Sequence, residues 1–272
     1  MFRSCAVGLS AFCLSLSTPG AAQALEFASQ RDGVDIRAVD ALPANPSSAG
    51  DGCGAQVESL ETEGGKIAAD AGWIVTDEIT QAELTFISFV GQATAGTSGS
   101  CLMEGGNIGI FRGPDLLALA YAAEDAPRQI GSLQSLEGGA LRIWDGDYGS
   151  SPLADLRVTG DLVLIRPIAD RDSFCAGKVT LPSLYALPIH QARILLLTEG
   201  WQPQPAAEPS PSDYVRNMAE SLPELEDCSG TGFGYCGYNY SHEGGARLSV
   251  TSAGEGLEGS SPRVVDYRAA CE

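Results

Sequence analysis

Lysine and histidine are almost missing from this chain: Lys66 and Lys178 are the only lysines, His190 and His242 the only histidines, in 272 residues. Basic residues number 16 against 35 acidic ones, for a net charge of −19. A chain this acidic repels phosphate backbones and anionic lipid surfaces, which argues against nucleic-acid binding. The shortage of histidine leaves little material for general acid–base chemistry near neutrality. His190 falls in an apolar helical stretch and His242 in a Ser-His-Glu-Gly-Gly turn. No Gly-x-Ser-x-Gly elbow is present, and no paired Cys-x-x-Cys or Cys/His spacing of a zinc site. Asp145-Gly-Asp147 and Asp170-Arg-Asp172 offer oxygen ligands, but a calcium loop begun at Asp145 needs a glutamate where Leu156 stands. Beyond residue 24 no apolar run is long enough to span a bilayer as a helix. The expectation is a protein without cofactor, metal site or membrane span.

What is present begins with an export signal. Arg3 supplies a positive start, residues 6–16 a short apolar run, and Ala22-Gln23-Ala24 a cleavage site. A periplasmic or secreted chain starting near Leu25 is expected. Setting aside Cys5 and Cys13 in that leader, six cysteines remain: Cys53, Cys101, Cys175, Cys228, Cys236 and Cys271. An even set in an exported chain reads as three disulfides, and six cysteines admit fifteen pairings. The expected set is Cys53–Cys101, Cys175–Cys271 and Cys228–Cys236. The first stays within the N-terminal half, the second spans the C-terminal half, and the third is local.

The strand signals are short and frequent. Residues 34–39, 84–90, 108–111, 116–121, 141–144, 153–158 and 162–168 carry β-branched, aromatic or alternating patterns between Gly, Asp and Pro turns. Residues 25–170 therefore read as an antiparallel β sandwich or barrel-like domain, with a weak helix near residues 61–71 containing Gly64 and Gly65. The remainder of residues 25–54 reads as irregular. Residues 171–272 read as a smaller α+β module: a helix opening near Pro188, a proline-rich loop at 202–212, a second helix capped by Ser212, and three strands. In the first helix Ile189, Ala192 and Leu196 share a face. Ile194, Leu195 and Leu197 suggest packing on a second side. The helices near 71 and 199 both end in Gly-Trp, which reads as a repeat or as ordinary C-cap grammar.

Val179 with Pro182, Ala192-Arg193 with Leu196, and the closing Gly200 make a recognisable set. Residues 179–201 resemble the opening of a PASTA repeat, where a short strand ending near Val-Pro leads to a helix carrying Ala-Arg-x-x-Leu and a glycine. The resemblance implies an extracytoplasmic α+β module, in a family associated with cell-wall fragments. It carries over no binding residue.

The last forty or so residues concentrate Phe233, Tyr235, Tyr238 and Tyr240, a candidate ligand surface if exposed and ordinary core if not. Residues 254–259 match Gly-x-Gly-x-x-Gly, but Ser-Ser-Pro follows instead of a helix, so they read as a turn. Glu224, Glu226, Asp227, Glu255 and Glu258 border Gly, Pro or Ser and read as solvated carboxylates. The leading function is a non-catalytic binding or interaction protein contacting cell-wall glycan or another protein. An inhibitor of a secreted hydrolase and a carboxylate-based hydrolase are the alternatives.

Overall fold

The computed structural model describes residues 25–47, 53–208, 210–230, 232–254 and 261–271. The expected leader lies outside them, as does most of the 254–259 turn. In the first half the elements are β1 (Glu26–Ser29), β2 (Val34–Ala38), α1 (Glu63–Asp70), β3 (Ile74–Gln81), β4 (Leu84–Val90), β5 (Gln92–Ala95) and β6 (Cys101–Glu104). Then come β7 (Asn107–Arg112), β8 (Asp115–Ala122), β9 (Ile130–Ser135), β10 (Leu141–Asp145), β11 (Pro152–Thr159) and β12 (Leu162–Arg166). In the second half follow β13 (Arg171–Phe174), β14 (Val179–Pro182), α2 (Ile189–Thr198), β15 (Gln202–Pro203) and α3 (Asp213–Ala219). β16 (Leu225–Cys228), β17 (Cys236–Ser241), β18 (Arg247–Ala253) and β19 (Arg263–Ala270) complete it.

The chain is mainly β. One sheet runs β1-β12-β11-β10-β9 and a second β2-β8-β7-β4-β3. They pack face to face: Phe86, Ile108 and Ile110 from the second meet Leu141, Ile143, Leu156 and Ile165 from the first in one buried cluster. Residues alternate inward and outward along a strand, so each sheet has a further face to cover. α1 covers the second sheet, with Ala68 and the following Trp73 against Ile87, Phe89 and Phe111. β4 is thus buried on both faces, which is why it reads as a continuous apolar run. Gly64 and Gly65 weaken α1 intrinsically, yet the contact requires them: a Cβ on Gly64 would stand 2.8 Å from the Phe111 ring. Thr62 caps the helix through its hydroxyl, 3.0 Å from Gly65 N. The seam between the sheets closes where Thr76 Oγ1 donates to Gly131 O at 2.9 Å and Leu133 N to Asp77 Oδ2 at 2.9 Å.

The third sheet runs β15-β17-β18-β19, with β16 also on β17. Its inner face gathers Tyr238, Tyr240, Leu248, Val250 and Val264 around Ile189, Ala192 and Leu196 of α2. Leaving out β5 and β6 in the first half and α3 and β16 in the second, the two halves follow a similar order of elements. A strand, a helix ending in Gly-Trp and four meandering strands are β2, α1, β3, β4, β7 and β8 in the first. In the second, the isolated bridge residue Pro188 stands in place of the first strand, followed by α2, β15, β17, β18 and β19, with α3 and β16 inserted after β15. In each, the residues before the helix pair antiparallel with the last strand: β2 with β8, and Pro188 in a single bridge with Arg263 of β19. Both helices close alike. Gly72 and Gly200 take φ of 86° and 90°. Trp73 N then donates to Ala68 O at 3.1 Å and Trp201 N to Leu196 O at 3.0 Å, the 6→1 bond of a Schellman motif.

The cysteines pair as Cys53–Cys101, Cys175–Cys271 and Cys228–Cys236, with Cα separations of 5.9, 5.8 and 4.0 Å. Several expectations need correction. β1 lies in a stretch read as irregular, because its partner is the distant β12, joined in parallel, and four residues carry no periodic signal. β3 and β9 went unread because each turns polar along its length. α2 packs on one side only: Ile194 is 62% and Leu197 38% exposed, since Ile194 sits roughly 200° around the helix from Ala192. The proline-rich segment starts as a strand, Gln202 and Pro203 pairing with Ser241 and Tyr240.

Trp201 is 1% exposed and packs at a tilt against His242 with centroids 5.1 Å apart. Trp201→Ala should lower the unfolding free energy by ~3 kcal/mol or more in denaturant titrations. A loss below about 1 kcal/mol, typical of surface changes, would contradict this packing.

Candidate functional site

The face of the first sheet turned away from the sandwich core carries Arg142 and Trp144 on β10, Asp155 and Arg157 on β11, and Gln134 on β9. Pairing Arg142 with Asp155 and with Gln134 across the ladder sets them side by side. The second half of the chain settles on this face. Arg142, 1% exposed, forks to two carboxylates. Its Nε and Nη2 donate to Asp155 at 2.9 and 3.3 Å. Its Nη1 and Nη2 donate to Asp172 of β13 at 3.0 and 2.8 Å. Asp155 also accepts from Ala169 N at 3.1 Å, and Asp172 from the Tyr267 hydroxyl of β19. The Arg142 guanidinium lies 5.3 Å from the Tyr185 ring, which packs on Tyr267 at 4.6 Å and edge-on to Trp144 at 5.5 Å.

Burial disfavours the Arg142 cation, but its hydrogen bonds to Asp172 and Asp155 outweigh that and raise its pKa. Tyr185 is pushed up to about 12, chiefly by burial, with Arg142 opposing. Burial, then the adjacent Asp172 charge, also raises Tyr267.

A groove runs beside this cluster. Its narrow part has a volume of about 280 Å³ and is bordered by Gln134, Arg142, Arg157, Ser173, Tyr185 and Arg268. Its wider part, about 480 Å³, is bordered by Ser132, Trp144, Tyr148, Tyr235, Thr251 and Arg268 among others. Gln134 and Arg268 border both, so the two spaces lie side by side. The Trp144 indole donates to Gln134 Oε1 at 3.0 Å, which orients the amide. Tyr148 sits on a loop braced by Asp145, whose Oδ1 accepts from Ser151 N at 2.9 Å and Asp147 N at 3.3 Å. Burial raises the Asp145 carboxyl despite these bonds.

The expected tyrosine surface divides. Tyr238 and Tyr240 are buried, at 0% and 1% exposure, because β17 turns its even-numbered side chains towards α2. Tyr240 donates to Glu224 Oε1 at 2.9 Å. Only Phe233 and Tyr235 remain half-exposed, their centroids 5.9 Å apart, and Tyr235 alone borders the groove. Glu224 is not solvated as expected. It is fully buried beneath α2, 2.8 Å from Arg193 Nε. Asp172 is engaged by Arg142 and is no exposed acidic turn. His190 Nδ1 lies 3.2 Å from Ser261 Oγ, and His242 Nδ1 2.7 Å from the Glu243 carbonyl; neither borders the groove. Among the described residues no group of three or more His, Cys, Asp or Glu is placed to share a metal ion. No sequence motif marks Arg142, Asp155 and Trp144 as a site. The available signal was the alternation Leu-Arg-Ile-Trp, which puts a cation and an indole on one strand face.

Arg142→Met strands two buried carboxylates and should cost about 3–5 kcal/mol in denaturant unfolding. Adding Asp155→Asn and Asp172→Asn should restore part of that; a single-variant loss under ~1 kcal/mol would refute the fork. Tyrosines held protonated in the fold favour it fully below the unfolded tyrosine pKa of 10. Stability should therefore decline as pH climbs from 10 towards 12, with tyrosinate absorbance appearing together with the loss of circular dichroism. Tyr185→Phe should delay that decline. Early tyrosinate formation in the intact fold would speak against the burial.

Comparison with known proteins finds no family model, no curated protein and no solved structure that matches this chain.

Proposed function

We propose that this is an exported, non-catalytic binding protein whose ligand, a cell-wall glycan, lies in the groove between the sandwich and the α+β module. One observation carries the reading: the wider space sets the rings of Trp144, Tyr148 and Tyr235 beside the polar groups of Gln134, Ser132 and Thr251. Sugars are taken up by such combinations, an aromatic face for the apolar side of the ring and polar groups for its hydroxyls. The walls need little reorganisation, since the buried Arg142 fork holds them together. Three disulfides and the leader-like N-terminus support an extracytoplasmic setting, as does the likeness of residues 179–201 to a PASTA opening.

The alternatives have less support. An inhibitory loop needs a protruding anchor, whereas Phe233 packs on Tyr235 and its carbonyl accepts from Gly254 N at 2.7 Å. A carboxylate hydrolase needs a carboxyl free to move a proton. Asp155 and Asp172, at the groove wall, are both held by Arg142.

Fluorescence titration of the oxidised chain from Leu25 with soluble cell-wall oligosaccharides should show saturable binding. Tyr148→Ala and Trp144→Ala should each weaken it by roughly tenfold or more, as loss of a buried aromatic contact does. Tyr214→Ala, on exposed α3, should leave it unchanged. No binding, or equal loss at all three positions, would overturn the proposal.

A further inference from the structure

Three glycines stand inside strands among the described residues: Gly109 in β7, Gly131 in β9 and Gly237 in β17. Glycine weakens a strand, so each calls for a cause. Two have one within the fold. A Cβ on Gly109 would stand 2.5 Å from the buried Phe111 ring, and one on Gly131 2.6 Å from the Asp145 carbonyl oxygen. Gly237 has none. Its φ is not positive, and a Cβ there would find nothing nearer than Glu226 Oε2 at 3.8 Å, an ordinary contact. The bulge in the opposing strand places its extra residue, Glu226, on β16 and not on β17.

The surroundings of Gly237 supply the cause. Tyr238 and Tyr240 point towards α2, so Gly237 and Asn239 lie on the opposite, uncovered face. Across the ladder Gly237 pairs with Thr251, and Thr251 with Asp266. Thr251 and Asp266 both border the wider part of the groove, as does Tyr235, two residues before Gly237. Gly237 thus carries the floor of that space one strand further, by roughly 5 Å. Beside it the Asn239 amide is held in one orientation: Ser249 Oγ donates to its Oδ1 at 2.9 Å, and its Nδ2 donates to Glu226 Oε2 at 2.9 Å.

Resting on the glycan reading above, we infer that Gly237 is a specificity-determining residue, whose missing side chain makes a subsite for a further sugar ring, and that the ligand is an oligosaccharide chain longer than the wider part of the groove holds. The first rings lie beside Trp144 and Tyr148. The chain then crosses β19 and β18 and sets its next ring on the bare backbone at Gly237, with its hydroxyls towards Asn239 and Ser249. A side chain at this position would stand where that ring lies.

The probes are N-acetylglucosaminyl-N-acetylmuramic acid and the tetrasaccharide of two such units, titrated into the oxidised chain by calorimetry. The tetrasaccharide should bind about tenfold or more tighter than the disaccharide. Gly237→Val should bring the tetrasaccharide down to the level of the disaccharide and leave the disaccharide unchanged, with Gly237→Ala in between. Asn239→Ala should weaken the tetrasaccharide alone. Equal affinity for the two lengths, or a Gly237→Val chain that holds both as before or loses both equally, overturns the role of Gly237 and leaves the groove reading standing. Binding of neither length overturns both. Tm gives a check without ligand: Gly237→Val should hold or raise it, since a Cβ is accommodated there and valine suits a strand better than glycine. A lower Tm would show that the fold itself requires the glycine and overturn the inference.

Discussion

Arg142 spends four hydrogen bonds on two carboxylates from different halves of the chain, Asp155 of the sandwich and Asp172 of the module. A buried ion pair often adds little net stability, because desolvation offsets the attraction. Its value lies in geometry. A planar fork gripping two carboxylates at once accepts only one arrangement of β10, β11 and β13. Tyr185 and Tyr267 stack around it, and Tyr267 closes the second acceptor. The position of β19 against the sandwich follows, and so does the groove, whose two sides are those same elements.

The two halves solve one packing problem in the same way. A meander with a helix on one face leaves the opposite face uncovered. In the first half that face meets another sheet, and Phe86, Ile108 and Ile110 fill the space. In the second half it is polar, with Asn239 and Ser249 bonded to each other at 2.9 Å, and it borders the sandwich through Tyr235, Thr251 and β19. A space that apolar residues would have filled is left lined with polar groups and rings. That difference turns a core in one half into a groove in the other.

Charge is distributed to the same effect. The chain is strongly acidic, yet the narrow part of the groove is bordered by four arginines, Arg142, Arg157, Arg171 and Arg268, against three carboxylates, Glu137, Asp155 and Asp172. Arg142 is held there by Asp155 and Asp172, Arg171 by Glu199 and Arg268 by Asp266. Net charge speaks to solubility and to classes of partner excluded; it says nothing about the sign inside a single cavity.

Much of the fold was legible locally. Leu84–Val90 announced itself by β-branched and aromatic content, α2 by the spacing of Ile189, Ala192 and Leu196, and both helix ends by Gly-Trp, because period and capping are properties of adjacent residues. The cysteine pairing followed from placing each bond within a half. What stayed hidden depends on residues far apart in the chain. β1 exists because β12 offers it an edge, Glu224 is buried because α2 lies over it, and Ile194 is exposed because nothing does. The site belongs to the same class. Sequence alone determined a disulfide-bonded β chain with capped helices and an acidic surface. Tertiary structure alone decided that Arg142 would be shared between Asp155 and Asp172, since a side chain's partners are chosen by the strands that face it, and no spacing along the chain records which strands those are.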